Sequence, residues 1–218
     1  MSNRGRYIVL EGDEGAGKGE QVKRLLKRLV REGITCEIVR EPGGDPIAEQ
    51  LREILKFSES AITPLGELFG FLMARAQVLE LVVKPLLEQG SWVLSDRSSL
   101  STYVYQGEMR GLLEPDKPDK ITQFLGACQL ASQVAIADIT LVLDISYEQS
   151  QQRLAQRGGQ SDRFESIGEQ ERRLVNKSYR KWAEELDEVM LLDGSLSIEE
   201  VERSVWAHIE PMIEEVGK

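Results

Sequence analysis

The stretch Tyr7-Ile8-Val9-Leu10-Glu11-Gly12-Asp13-Glu14-Gly15-Ala16-Gly17-Lys18-Gly19 decides the reading of this chain. Its first part is apolar and β-branched, which predicts a strand over 6–11. From Lys18 onward, Val22, Leu25, Leu26, Leu29 and Val30 recur at helical spacing, which predicts a helix over 18–32 ended by Gly33. Strand, glycine-rich loop and helix in this order make a P-loop. Gly12, Gly15 and Gly17 reach backbone angles that other residues adopt only under strain. The loop's N–H groups can then converge on phosphate oxygens at the positive end of the helix. Lys18 adds a mobile charge for the outer phosphates. A plain tight turn would need the glycines but leaves the lysine and the flanking periodicity unexplained.

One letter of the motif is absent. The lysine is usually followed by Ser or Thr, whose hydroxyl meets Mg²⁺; here it is Gly19. A cradle made mostly of backbone survives that change, while direct magnesium ligation from the loop does not.

Composition narrows the class. A length of 218 residues fits one domain with a small lid or insertion, and 41% apolar residues suffice for a core. A net charge of −10 argues against a nucleic-acid or anionic-membrane surface, though a local basic cluster can still serve one phosphorylated ligand. Cys36 and Cys128 stand alone in apolar surroundings, which predicts reduced thiols. Neither a signal-peptide core nor a long apolar span is present, so the expected setting is the cytoplasm.

Further along, 35–40 reads as a second strand. Asp45 and Pro46 look like the cap and first residue of a short helix with Ile47, Leu51, Ile54 and Leu55 on its buried side. Arg52 lies within it and reads, from position alone, as an exposed charge. A helix over 65–87 is apolar on more than one face, through Leu68, Phe69, Phe71, Leu72 and Met73, and is expected to be buried or to pack on a partner. Arg75 sits inside that surround, so a ligand or a carboxylate should satisfy it. Trp92-Val93-Leu94 predicts a third strand, with Asp96 and Arg97 at its carboxyl end, where parallel sheets bind ligands. Asp96 suits a metal or its waters; Arg97 suits a phosphate. Helices follow over 98–109 and 121–131, and Thr140-Leu141-Val142-Leu143-Asp144 reads as a central strand. Capping boxes at Ser146/Gln149 and Ser197/Glu200 open two more helices. Between Arg153 and Glu165, Arg153, Arg157 and Arg163 bracket a glycine pair, which reads as a basic lid over a polyphosphate. A long helix over 165–186, a strand over 189–192 and a last helix complete the chain; His208, the single histidine, reads as structural. The alternation predicts a parallel sheet of about five strands with helices on both faces.

Several motifs then fall in one order: the loop from Glu11 to Lys18; Arg40-Glu41-Pro42-Gly43-Gly44; Arg75-Ala76-Gln77; Asp96-Arg97 with Tyr105-Gln106-Gly107; and Asp162-Arg163-Phe164-Glu165. Together they resemble the bacterial thymidylate kinases over nearly the whole chain. The resemblance implies a three-layer α/β P-loop kinase fold, one domain over 1–218 with a lid at about 153–165, and transfer of the γ-phosphoryl of ATP to dTMP with Mg²⁺ as cofactor. It implies that Gly12, Asp13, Glu14, Gly15, Ala16, Gly17, Lys18 and Gly19 hold the donor phosphates, with Glu14 near the acceptor. It also implies that Arg52 reaches the acceptor phosphate, that Phe71 stacks on the base, and that Arg75 hydrogen-bonds it. By the same resemblance, Thr102, Tyr105 and Gln106 should line the nucleoside pocket, Asp96 should serve the metal, and Arg97 should bridge the two phosphates. Lys18, Arg97, Arg153 and Arg157 are the expected catalytic residues, in a type whose lid supplies the arginine. A homodimer through the 65–87 helix is implied as well. Ala74 replaces a common aspartate and Ser98 a common aromatic, which is expected to loosen Arg75 or shift base choice. The alternatives are a kinase for another monophosphate such as dUMP, or a nucleotide-binding homologue impaired in chemistry.

Overall fold

The computed structural model describes residues 4–157 and 162–216. Its strands are β1 (Tyr7–Gly12), β2 (Cys36–Arg40), β3 (Trp92–Asp96), β4 (Ile139–Asp144) and β5 (Val189–Asp193). They form one parallel sheet in the order β2-β3-β1-β4-β5. The chain builds outward on one side of β1 and then crosses to the other, so the crevice for a ligand lies at the carboxyl end of β1. Register sets that end: Leu10 pairs with Asp96 on one side, and Gly12 with Leu143 on the other.

Every residue of β1 is buried, because helices cover both faces. Ile8 and Leu10 pack against Val22, Leu25 and Leu29 of α1 (Lys18–Arg31) and Val201, Val205, Trp206 and Ile209 of α9 (Ile198–Val216). Tyr7 and Val9 face the other way, onto Val78, Leu79, Val83 and Leu87. Each such buried aliphatic contributes about 1.5–3 kcal/mol relative to exposure. The remaining helices are α2 (Pro46–Phe57), α3 (Pro64–Val78), α4 (Lys84–Glu88), α5 (Ser99–Thr102), α6 (Pro118–Ser132), α7 (Tyr147–Arg157) and α8 (Glu169–Glu185). A π-helical segment, Leu79–Val83, joins α3 to α4, and a second, Tyr103–Met109, extends α5. The long helix predicted over 165–186 starts four residues later, because Asp162 accepts from the N–H groups of Phe164 and Glu165 and holds a turn there.

The caps form as read. Asp45 Oδ1 accepts from Ile47 and Ala48, and Ser146 and Gln149 bond reciprocally. Cys36 and Cys128 are buried free thiols. One apolar reading needs correction, and one is left with its partner alternative. In α2, Leu55 is buried with Ala48, whereas Ile47 and Ile54 are exposed, because α2 turns its Ala48–Leu55 side onto α3. In α3, Leu68 and Leu72 are buried but Leu65, Phe69 and Met73 are about half exposed, at 53%, 56% and 51%.

Candidate active site

A cleft of about 650 Å³ opens over the carboxyl ends of β1 and β3. On one side lies the glycine loop. Gly12 (φ 134°) could not carry a side chain, since a Cβ would lie 2.5 Å from the Leu143 carbonyl oxygen of β4. Gly17 (φ 94°) turns the chain into α1. Lys18 is buried, and its Nζ donates to the carbonyls of Gly12 (3.1 Å) and Asp13 (2.9 Å). Burial and then Arg97 lower its proton affinity, against the pull of Glu14, Asp96 and Glu11. Glu14, Gly15, Gly17, Lys18 and Gly19 line the cleft; Gly12, Asp13 and Ala16 do not.

Facing the loop is the end of β3. Arg97 alone among the described non-glycine residues has a positive φ, 75°. Its N–H donates to the Leu10 carbonyl (2.9 Å), and its carbonyl accepts from Ser95 Oγ (2.7 Å), which holds the strained backbone in place. The guanidinium donates to Glu14 (2.8 Å), Ser101 Oγ and Tyr179 OH (both 3.0 Å). Beneath it Glu11, fully buried, accepts from Ser98 N–H, Ser101 N–H, Ser101 Oγ and Tyr179 OH. Asp96 Oδ1 is buried with no hydrogen-bond partner. A Cβ at Gly19 would lie 3.7 Å from Asp96 Oδ2, so the bare loop leaves room beside this carboxylate.

The third side comes from α2, α3 and the helix after β3. Arg75 is buried, and its acceptor is a carboxylate: Nε donates to Glu41 (2.7 Å), Nη1 to Thr102 Oγ1 (2.8 Å) and Nη2 to the Ser98 carbonyl (2.9 Å). Burial works against the Arg75 charge, but Glu41 outweighs it and raises the proton affinity. Ser98 takes part in holding this group: its hydroxyl donates to Glu41 (3.2 Å), and its backbone carbonyl accepts from the guanidinium. Arg52 is half-buried rather than free in solvent, and its Nη1 donates to the Pro42 carbonyl (3.0 Å). Phe71 and Tyr105 both pack edge-on against Phe164 at 5.7 Å. Gln106 gives its amide N–H to Glu67 (2.8 Å). Arg52, Phe71, Arg75, Asp96, Arg97, Thr102, Tyr105 and Gln106 all line the same cleft.

Arg153 and Arg157, on α7, also line it. Arg153 reaches the Gly194 carbonyl (3.0 Å), and Arg157 pairs with Glu165 (2.5 Å). Residues 158–161, the tip of the predicted lid, lie outside the described residues. Arg163 differs from its reading as a lid cation. It turns to Glu67 and to the Leu55 carbonyl and does not line the cleft, because Glu67 is a buried carboxylate that needs a cation.

Glu67, Lys56 and Arg172 were not singled out from sequence. Glu67 interrupts the same apolar helix as Arg75, and the argument that a buried charge needs a partner finds it too. Lys56 pairs with Asp162 (2.5 Å), and Arg172 pairs with Asp13 (2.8 Å); both partners are remote in sequence.

Glu14 generates a pH prediction. Burial works against its charge, but Arg97, Lys18 and Lys56 outweigh that and hold the carboxyl well below its ordinary range. A depressed carboxyl contributes stability above its unfolded pKa and loses it as pH falls. The urea midpoint of the protein should therefore fall between about pH 5 and pH 3 more steeply than that of Glu14→Gln. Parallel falls in the two proteins would contradict the assignment.

Comparison with known proteins identifies the family. A family model described as thymidylate kinase matches residues 10–205. Among curated relatives, the thymidylate kinase of Pseudomonas putida (strain GB-1) is 37% identical, covering 96% of this chain and 97% of its own. That of Rhodopseudomonas palustris (strain BisB18) is 36% identical, over 96% and 90%. That of Chlorobaculum tepidum is 35% identical, over 94% and 97%. With a glycine loop, an Asp-Arg strand end and a buried arginine meeting in one cleft, and with matches over nearly its full length, this chain belongs to the thymidylate kinase family.

Proposed function

We propose that the protein transfers the γ-phosphoryl of ATP to the 5′-phosphate of dTMP, giving ADP and dTDP. The observation that carries the reading is the meeting of loop amides and Lys18 with Arg97 across one cleft. The family and its relatives' names support the choice of reaction over a kinase for dUMP or a silent nucleotide binder.

In this reading the donor phosphates lie on the loop from Gly12 to Gly19, with Lys18 exchanging its two carbonyl partners for phosphate oxygens. Arg97 lies between donor and acceptor phosphates, and Arg52 takes the acceptor phosphate from the other side. The acceptor oxygen attacks the γ-phosphorus as the bond to the ADP oxygen breaks, and alignment and charge neutralisation supply most of the rate. Arg153 and Arg157 add positive charge from the 153–165 lid, in a single domain. Arg157 is half exposed, but its partner Glu165 is largely buried, so exchanging Glu165 for a phosphate oxygen also requires that carboxylate to be resolvated. Phe71 offers an aromatic face to the base, and Arg75 and Thr102 its polar groups. Because Gln106 gives its N–H to Glu67, the amide has a carbonyl left for the base. A carbonyl suits the ring N–H of thymine and rejects the bare ring nitrogen of cytosine.

Mg²⁺ fits the donor set. Asp96 faces the Gly19 position of the phosphate loop with Oδ2 and leaves Oδ1 without a hydrogen-bond partner, and oxygen ligands suit this ion. Among the described residues no cluster of three or more ligating side chains could hold a metal, so ATP phosphates and water would complete the shell. The bound ion would neutralise charge on the donor phosphates.

No helix among the described residues is long and apolar enough to cross a membrane, and the two reduced thiols support a cytoplasmic setting. The half-exposed Leu65, Phe69, Met73 and Leu81 support a second copy of the chain as the partner of the α3–α4 face. Lys18→Ala and Arg97→Ala should each lower dTMP-dependent ADP formation by about a hundredfold or more, with unchanged far-ultraviolet circular dichroism. Near-normal turnover in either would contradict the mechanism. Light scattering should give the mass of a dimer for the native chain and of a monomer for Phe69→Glu. A native monomer would remove the dimer.

A further inference from the structure

Arg172 lies in the first turns of α8, fully buried, 159 residues along the chain from its partner Asp13. Its Nη1 donates to Asp13 Oδ1 (2.8 Å), while its Nη2 donates to the carbonyls of Phe164 and Glu165 (both 2.9 Å). One planar guanidinium thus touches two separate structures. The first is the phosphate loop. Asp13 Oδ1 also takes the Glu14 N–H (2.7 Å) and the Tyr105 hydroxyl (3.3 Å), the Asp13 carbonyl holds Lys18, and Glu14 holds Arg97. The second is the turn that closes the acceptor side. There Phe164 packs on Phe71 and Tyr105, Asp162 pairs with Lys56, and Arg163 with Glu67.

The pair is poorly arranged for stability alone. Asp13 Oδ2 and Arg172 Nε are both buried with no hydrogen-bond partner. A buried ion pair left partly unsatisfied is often no more stable than an apolar replacement of similar volume. Its distinctive property is geometric: it fixes the distance between the loop and the turn.

We propose that Arg172 is a positioning residue that sets the spacing between the donor and acceptor subsites. The proposal rests on the reading that ATP phosphates occupy the loop and dTMP the opposite side. Each ligand keeps its own contacts when the tie is cut, so each binds alone nearly as before. What is lost is their end-to-end alignment, and a misplacement of about 1 Å costs up to about a hundredfold in rate.

The test compares the native protein with Arg172→Met, which cuts the tie, and with Arg172→Lys, which keeps a donor for Asp13 without the planar fork that also spans the Phe164 and Glu165 carbonyls. Both leave the phosphate loop's own residues unchanged, and burial already favours the neutral Asp13 carboxyl once the arginine is gone. Three quantities are measured: melting temperature, dissociation constants for a non-hydrolysable ATP analogue and for dTMP separately, and kcat. Arg172→Met is expected to melt in a single cooperative transition below that of the native protein. Both dissociation constants should stay within about threefold, while kcat falls by roughly ten- to a hundredfold. An unchanged kcat in the folded Arg172→Met protein would make Arg172 purely structural and overturn the proposal. A loss of analogue binding in parallel with kcat would also overturn it, by confining Arg172 to the donor side. If Arg172→Met does not fold, Arg172→Lys is judged on the same three readouts. If that variant is unfolded too, the pair is a folding element and the proposal fails. Absence of dTMP-dependent turnover in the native protein would instead fault the proposed reaction.

Discussion

Arg97 holds a left-handed backbone and gives its guanidinium to Glu14 at 2.8 Å, and the rest of the cleft is arranged around that pair. Lys18, Arg52, Arg75, Arg97 and Arg153 converge on one volume, and like charges at such range repel strongly when water is scarce. The fold meets this with buried acceptors. Glu11 sits beneath Arg97, Glu14 beside it, and Glu41 against Arg75. Each comes from the end of a strand or the loop after it, where the backbone is already fixed by the sheet. The cations are therefore oriented before any ligand arrives, which is the condition for electrostatic stabilisation without reorganisation.

The glycine at position 19 changes one part of this plan and leaves the rest. Phosphate binding by a loop depends on backbone N–H groups, which Gly19 retains. The room the absent side chain leaves is faced by Asp96 Oδ2, while Asp96 Oδ1 has no hydrogen-bond partner, and in the proposed reading this carboxylate takes over the metal contact. The serine at 98 enters the Glu41–Arg75 network: its hydroxyl donates to Glu41, and its backbone carbonyl, which any residue would supply, accepts from Arg75.

What could be read in the chain beforehand was local. The glycine loop, the caps at Asp45, Ser146 and Ser197, and the strand ending in Asp96-Arg97 each declare themselves within a few residues. The parallel sheet followed from the alternation of strands with helices. Arg75 was legible in part: its apolar surround demanded an acceptor, but whether ligand or carboxylate could not be told, because Glu41 lies 34 residues away. Glu67 could have been found by the same argument. Arg163 and Arg172 could not, since their partners Glu67 and Asp13 lie 96 and 159 residues distant and only the folded chain brings them together. Ile47 and Ile54 looked like core because helical spacing shows which residues share a face, and not how wide the covered strip is.

The account comes down to two phosphorylated ligands meeting end to end between loop amides and Arg97. Calorimetric titration with adenosine and thymidine joined through a chain of phosphates tests that most directly, against dTMP and a non-hydrolysable ATP analogue measured singly. The account predicts one joined ligand per chain, bound at least about a hundredfold more tightly than either half. Binding no tighter than that of the better half would mean that the two subsites do not meet, and would contradict it.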